Sequence, residues 1–360
     1  TTTSNGSRPT TTSNGSRPVL NCRTVVSCRP VPLVDVMSEI LVAGETLVDL
    51  LPDEGSTLRD IDGFSHRPGG APANVAVGLA RLGEPPAFWT RLAEDPFGDF
   101  LRETLADESI SETTIERVAG ENTTLAVVSP PDADDRRFRF YGSGDATFGF
   151  EAGSIPTAAL ASASWVHFGG VALTHSRGRA AMRELATAAG ERGCTVSFDV
   201  NYRRDLVADE ETEAVLAALR EVVAASDVVF CSEEDITGTG LSSRGGAELA
   251  RDICALGPHT AVVTLGAEGA LLASTADAPW GETTARHDGF AVESRDATGA
   301  GDAFTAGLIA RLALGLPPTT TVDDALAFAN ATAALSVQDV GGMSAIPDRA
   351  AVEGFLEKID

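Results

Sequence analysis

At 360 residues and 43% hydrophobic content, the chain has room for one large α/β domain or two smaller ones, with ample apolar side chains for a buried core. Its 52 acidic residues against 27 basic ones leave a net charge of −25, which disfavours nucleic acid and anionic membranes as partners. Lys358 is the only lysine, and so acidic and lysine-poor a composition is of the halophile type, suited to concentrated salt that screens charge over a few Å.

In chain order, the first 36 residues stand apart. They carry a perfect tandem repeat, residues 1–9 copied at 10–18, and then a patternless stretch with Pro30 and Pro32. Four arginines and one aspartate make this segment +3, so residues 37–360 carry −28. Met37 leads directly into the first strand. The expectation is that Met37 is the natural start and that residues 1–36 are a disordered upstream artefact of translation or cloning; a secretory signal would need an apolar centre that they lack.

From Glu39 onward strands and helices alternate. Short apolar runs at 40–42, 165–168, 196–199, 228–231 and 261–265 predict buried parallel strands. Helical periodicity lies between them at 74–82, 96–107, 177–193, 211–225 and 245–256. Two stretches, 46–66 and 121–143, break the rhythm with strand-like segments at 125–129 and 137–141 and no helices between them. The predicted fold is a doubly wound, mainly parallel α/β sheet with a small antiparallel β lid. Ligands in that architecture bind beyond the carboxyl ends of the strands. The five cysteines, at 22, 28, 194, 231 and 254, are scattered in no metal-ligand spacing and read as reduced; no apolar run reaches membrane-spanning length, and a cytoplasmic protein is expected.

Two glycine turns carry the chemistry. Residues 296–302 read Asp-Ala-Thr-Gly-Ala-Gly-Asp and run at once into an apolar helix. The unpaired amides of a first helical turn, with no side chains at Gly299 and Gly301 to keep an anion away, suit a phosphate. Asp302 would be repelled by that phosphate, so a general base taking a hydroxyl proton is the economical account of it. The plainer account is a capped helix after a tight turn. Residues 69–83 form a second glycine turn feeding a helix, with Asn74 in its first turns. Asn offers both donor and acceptor to a polyol hydroxyl, or else simply caps the helix.

Together, in this order and at this separation, the two turns resemble the PfkB, or ribokinase-like, family of carbohydrate kinases, and the resemblance runs from about residue 39 to the C-terminus. It implies ATP and Mg²⁺, with the monovalent cation K⁺ near the loop ending at Asp296, and a lid that closes over the sugar and pairs two copies into a homodimer. Asp302 would be the base and the amides of Gly299, Ala300 and Gly301 would hold the transferred phosphoryl group. Asp49, Gly69, Gly70, Asn74 and Arg203 would bind the sugar. Asn201, Ser232, Thr264, Gly266, Gly269 and Asn330 would bind ATP, the adenine lying along the helix of Phe328, Ala329, Asn330 and Ala333, with Gly341 and Gly342 closing its pocket. Residues 232–235 read Ser-Glu-Glu-Asp where the family's pattern is Asn-x-x-Glu, so Asp235 stands in the place that organises Mg²⁺ through water.

The combination of Gly-Glu-x-Leu-x-Asp at 44–49, Gly-Gly-Ala-Pro-Ala-Asn at 69–74 and Ser-Glu-Glu at 232–234 is most similar to the fructokinase branch. The 2-keto-3-deoxygluconate kinase branch shares much of it. Both branches commonly place an arginine beside the lid aromatic, whereas Gly142 follows Tyr141 here, which favours a neutral sugar over a carboxylate. Fructose, phosphorylated at its 6- or 1-hydroxyl, is the leading expectation. A catalytically silent sugar or nucleotide sensor on the same fold is the rival from another class.

Overall fold

The computed structural model describes residues 39–53, 59–128, 138–142, 146–313 and 320–359. Residues 37–360 make up one unit and residues 1–36 another; the expectation for 1–36 lies outside the described residues.

The chain opens with β1 (Ile40–Ala43), β2 (Leu47–Pro52) and β3 (Phe64–Gly69), then α1 (Ala71–Arg81), β4 (Ala87–Ala93) and α2 (Pro96–Asp107). Three short strands follow, β5 (Ile115–Val118), β6 (Leu125–Val128) and β7 (Phe138–Tyr141). An α/β succession comes next: α3 (Thr157–Ser162), β8 (Trp165–Gly169), α4 (Ser176–Glu191), β9 (Thr195–Asp199), α5 (Thr212–Ala224), β10 (Val228–Ser232), α6 (Glu233–Ile236), α7 (Gly246–Cys254) and β11 (Thr260–Thr264). The hairpin β12 (Ala270–Ser274) and β13 (Thr283–His287) and the helices α8 (Ala300–Leu312), α9 (Val322–Ser336) and α10 (Arg349–Leu356) complete it.

Nine strands form the main sheet in the order β13-β12-β11-β10-β9-β8-β1-β4-β5, all neighbours parallel except β11–β12 and β12–β13. Strand succession runs outward in both directions from β1, so the crevice between β1 and β8 is the switch point at which an open sheet of this kind binds ligands. Alternation along β1 serves both faces of the sheet: Leu41 and Ala43 join the core of Met182, Leu185, Leu219 and Leu249, while Ile40 and Val42 join that of Leu79, Leu308 and Leu326.

The helices start where the sequence caps them. Asp95 accepts from the Gly98 amide at 2.7 Å with Pro96 at the first helical position of α2, and Thr321 and Asp324 form a capping box at α9. No side chain caps α1 or α8 with a hydrogen bond; each begins at a glycine with positive φ, Gly70 (106°) and Gly299 (75°). These two helices cross closely, since a Cβ on Gly78 of α1 would lie 2.6 Å from Ala306 Cβ of α8.

The interrupted stretches of the sequence form the second sheet, order β3-β2-β6-β7. Its outer pairs are antiparallel and its central pair, β2–β6, is parallel. Ser129 and Arg137, at the ends of the two predicted segments, lie outside the described residues. The strands β4, β5, β12 and β13 were not anticipated by the apolar runs. In β4 a buried arginine interrupts the pattern: Arg91, 4% exposed, donates to Glu116 Oε2 and the Ala146 carbonyl and faces Glu121 at 3.6 Å.

Candidate active site

The carboxyl ends of β1, β8, β9, β10 and β11 open onto a cavity of about 400 Å³, whose wall includes Glu45, Asp49, Asn74, Asp199, Arg203 and Asp302. The small sheet reaches it with Leu47 and Asp49 of β2 and Phe140 of β7. Next to it lies a second cleft of about 450 Å³, lined by Gly266, Phe290, Asn330, Ala333 and Val337 among others. Thr264, Ala297 and Gly301 belong to both. The glycine turn at the head of α8 is therefore the boundary between the two spaces, with Gly299 facing the first and Ala300 the second.

Asp302 is the third residue of α8, and Asn74 Nδ2 donates to its Oδ2 at 2.7 Å. That bond fixes the carboxylate and leaves Oδ1 for another partner. Asn74 Oδ1 is buried without a hydrogen-bond partner, so the pair presents an acceptor on each side. Loss of solvation pushes Asp302 up to about 6; the Asn74 hydrogen bond and the Arg203 charge oppose the rise, and Asp235 adds to it. A carboxylate of that kind is ionised at neutral pH yet basic enough to take a proton.

Arg203, just past β9, donates through Nη1 to Asp235 Oδ1 at 2.9 Å. Asp235 is also one half of the capping box of α6, accepting from Ser232 N and Oγ. Asp199, at the end of β9, is held well above the usual carboxylate range, first by burial and then by Asp235 and Asp302. Asn201 follows with φ 32°, its Oδ1 buried and unpaired. A non-glycine residue in that region is strained, and such strain gathers at functional sites.

The structure brings most of the predicted site residues together. Asp49, Gly70, Asn74, Asn201, Arg203, Asp235, Gly299 and Asp302 line the first cavity; Gly266, Gly269, Ala300 and Asn330 line the second; Thr264 and Gly301 line both. Gly69 and Ser232 line neither. A Cβ on Gly69 would lie 2.3 Å from Asp49 Oδ2, so this glycine makes room for the Asp49 side chain. Ser232 caps α6 and holds Asp235. Gly341 and Gly342 do not close the second cleft. Gly342 packs instead beside Gly299, whose Cβ would lie 2.8 Å from Gly342 Cα, and close to the Asn74 amide, so it braces the turn from behind. Phe328 lies in the core under the Arg311 guanidinium, 3.8 Å from its ring centre, while Asn330 and Ala333 face the cleft.

Sequence reasoning passed over Glu45, which stands in the quoted 44–49 motif, and assigned no role to Asp199, which ends a predicted strand. Glu45 is buried and Asp199 half-buried, and burial is the signal that a linear pattern withholds. Among the described residues no group of three or more His, Cys, Asp or Glu could by itself hold a metal ion. Asp199, Asn201 and Asp235 all line the first cavity. No helix among the described residues is long and apolar enough to cross a membrane.

Comparison with known proteins matches this geometry. A family model described as pfkB family carbohydrate kinase matches residues 37–349. The fructokinase of Escherichia coli is 34% identical over 329 residues, covering 88% of this chain and 98% of its own. A fructokinase from Xylella fastidiosa, solved with bound ATP, superposes with a TM-score of 0.79 at 27% identity over 89% of this chain and 98% of its own. A double mutant of Vibrio cholerae fructokinase, solved in a form with fructose, ADP and potassium ion bound, gives a TM-score of 0.76 at 32% identity with the same coverage. With the ribokinase-like sheet, the small lid sheet and the Gly-Ala-Gly-Asp turn in place, the chain belongs to the pfkB family of carbohydrate kinases.

Proposed function

We propose that this kinase phosphorylates fructose with ATP, using Asp302 as the general base. The observation that carries the reading is the Asn74–Asp302 pair set beside an uncapped, positive-φ glycine turn at the junction of two cavities. The sugar occupies the acid-lined cavity, the nucleoside occupies the apolar cleft, and the γ-phosphate lies between them against the Gly299–Gly301 turn, where the Ala300 amide would turn to it from the Ala297 carbonyl it now meets at 3.2 Å.

Asp302 takes the proton of the attacking hydroxyl. The sugar oxygen forms its bond to the γ-phosphorus as the bond from that phosphorus to the bridging oxygen breaks, and the electron pair leaves on ADP. The turn amides, with no side chain beyond Cβ at 299–301, meet the charge on the transferred group. Arg203 lies 2.9 Å from Asp235, near enough to swing its guanidinium between that carboxylate and phosphate oxygens. Closure of the small sheet through Phe140 and Leu47 keeps water from the phosphoryl group.

Mg²⁺ bound with the nucleotide would neutralise its phosphate charge. Asp235 and the unpaired Asn201 Oδ1 are the oxygens suited to hold its water shell, an open arrangement that fits an ion bound chiefly by phosphates and water. For K⁺ the candidate is the loop at Asp296, a buried carboxylate that already accepts from the Thr298 and Gly341 amides.

The charge of the first cavity supports a neutral sugar. Even with Glu45 and Asp199 held towards their neutral forms, Asp49, Asp235 and Asp302 outnumber Arg203 in its lining, and an anionic keto acid would enter against that balance. The test is ADP formation with fructose, 2-keto-3-deoxygluconate, ribose and adenosine offered separately, with the product identified by NMR. Fructose phosphate is the expected product, and its NMR spectrum gives the hydroxyl attacked. Turnover with the keto acid alone would replace fructose in this reading, and silence with every acceptor would favour a sensor.

A further inference from the structure

The phosphoryl transfer above leaves two acids of the sugar cavity, Glu45 and Asp199, without a part to play, and Glu45 is the more deeply buried. Glu45 follows β1 and is 2% exposed. The backbone amides of Glu45 itself and of Ala71, the first residue of α1, favour its charged form, against the larger effect of burial. Its Oε2 is buried with no hydrogen-bond partner. A buried oxygen without a partner costs free energy unless a ligand satisfies it, and this one belongs to the wall of the cavity.

We propose that Glu45 is a specificity-determining residue for the sugar, its Oε2 donating a hydrogen bond to a hydroxyl or ring oxygen of a neutral sugar in the cavity shared with Asp49, Asn74 and Asp302. The proposal rests on the sugar-kinase reading and adds to it a recognition contact and a pH dependence. The other charged groups lining the cavity are Asp302 from α8, Arg203 and Asp199 around the end of β9, Asp49 from β2 and Asp235 from α6; α1, against which Glu45 packs, adds Ala71 and Asn74 to the lining and no charged group. Burial above all, and then the Asp302 charge, push Glu45 up to about 7, with Arg203 and the two amides opposing. Asp302 ionises first, near 6, and its charge then holds the proton on Glu45. At neutral pH the acid can thus donate. Above about 7 it becomes a second buried anion beside Asp302, and sugar binding weakens.

The test uses steady-state kinetics of the full chain with whichever sugar of a panel the wild-type protein phosphorylates, so that an error about fructose does not touch it. If wild type turns over none of the panel, the reading beneath the proposal fails and the proposal falls with it. Glu45→Ala is expected to raise the sugar KM by about tenfold, the loss of one hydrogen bond, with the ATP KM within about threefold of wild type. Glu45→Gln keeps the shape of the side chain and offers an N–H to the sugar at every pH. It should bind sugar as wild type does at pH 6 and abolish the rise in sugar KM that wild type shows from pH 6 to pH 8. An unchanged sugar KM in Glu45→Ala, an equal rise in the KM of both substrates, or a Glu45→Gln pH profile matching wild type would overturn the assignment. Where Glu45→Ala does not fold, the Glu45→Gln profile decides alone.

Discussion

The two cavities that meet at Gly301 are built on opposite principles. The first gathers five carboxyl groups and an arginine, and three of its side chains, Glu45, Asn74 and Asn201, keep a buried oxygen without a partner. The second is a cleft of glycine, alanine, valine and phenylalanine, where Gly266 (φ 59°) and Gly269 (φ 82°) shape the backbone and Asn330 spends its amide on the Leu326 carbonyl. One side holds unspent polar groups and shifted acids; the other holds shape. The difference teaches that substitutions on the two sides should fail differently, in the chemical step or the sugar on one and in nucleotide affinity on the other.

The largest effect should come from Asp302→Asn, which keeps the Asn74 neighbour but removes the base: kcat is expected to fall by about 10²–10⁴-fold. Its thermal midpoint should not drop at neutral pH. A carboxylate whose pKa is raised in the folded state loses stability as pH climbs through that value, and Asn avoids the loss. A kcat within threefold of wild type would remove Asp302 from the role of base. Across the boundary, Ala333→Leu adds bulk to the nucleotide cleft. At about 1–3 kcal/mol of overpacking it should raise the ATP KM by ~5–150-fold and leave the sugar KM nearly unchanged. An equal rise in both constants would erase the division between the cavities.

Smaller, and free of mutation, is the pH profile. With Asp302 pushed up to about 6, the acid limb of kcat/KM should be half-maximal near that pH and about tenfold below its plateau one unit beneath it, because the protonated acid cannot take the hydroxyl proton. A profile flat down to pH 5 would mean that the base is an unshifted carboxylate, so the burial argued for this cavity would be wrong.

How far the sequence foretold this division depended on whether the signal was local. Both glycine turns and the strand-to-helix alternation were legible, since each is written in adjacent residues; α2 begins and ends where its periodicity does. The Asn74–Asp302 bond joins residues 228 apart in sequence, and only the family resemblance put them in one site. Glu45 and Asp199 could be quoted but not weighed, because what distinguishes a buried acid from a loop acid is the protein folded around it. β4 stayed hidden because Arg91 breaks its apolar run, and its cost is met by Glu116, Glu121 and a carbonyl that come from elsewhere. The placing of Gly342 against Gly299, not in the nucleotide cleft, is likewise a contact between distant segments that no local pattern records.

The smallest effect probes what lies behind the sugar cavity. Phe230 lines that cavity, and His167 of β8 meets its ring edge-on, centroids 5.9 Å apart. His167 Nδ1 lies 2.9 Å from Ser197 Oγ, which accepts from Trp165 Nε1 at 2.7 Å and donates to the Val166 carbonyl at 3.2 Å. With the hydroxyl proton already used, the imidazole proton sits on Nδ1 and the ring is neutral. Burial pushes its pKa down to about 3. The unfolded chain takes up this proton below about 6.5 and the folded one does not until near 3, so stability is lost as pH falls through 6.5, reaching about 2 kcal/mol at pH 5. Glu45 and Asp302, raised in the folded state, act in the opposite sense, so raw melting curves mix the two. The Tm gap between wild type and His167→Gln isolates the histidine: from pH 8 to pH 5 it should shift by about 3 °C against wild type for a chain of this size. A constant gap would mean that the imidazole can be protonated in place, and the apolar backing that isolates the acids of the sugar cavity would then be open to water.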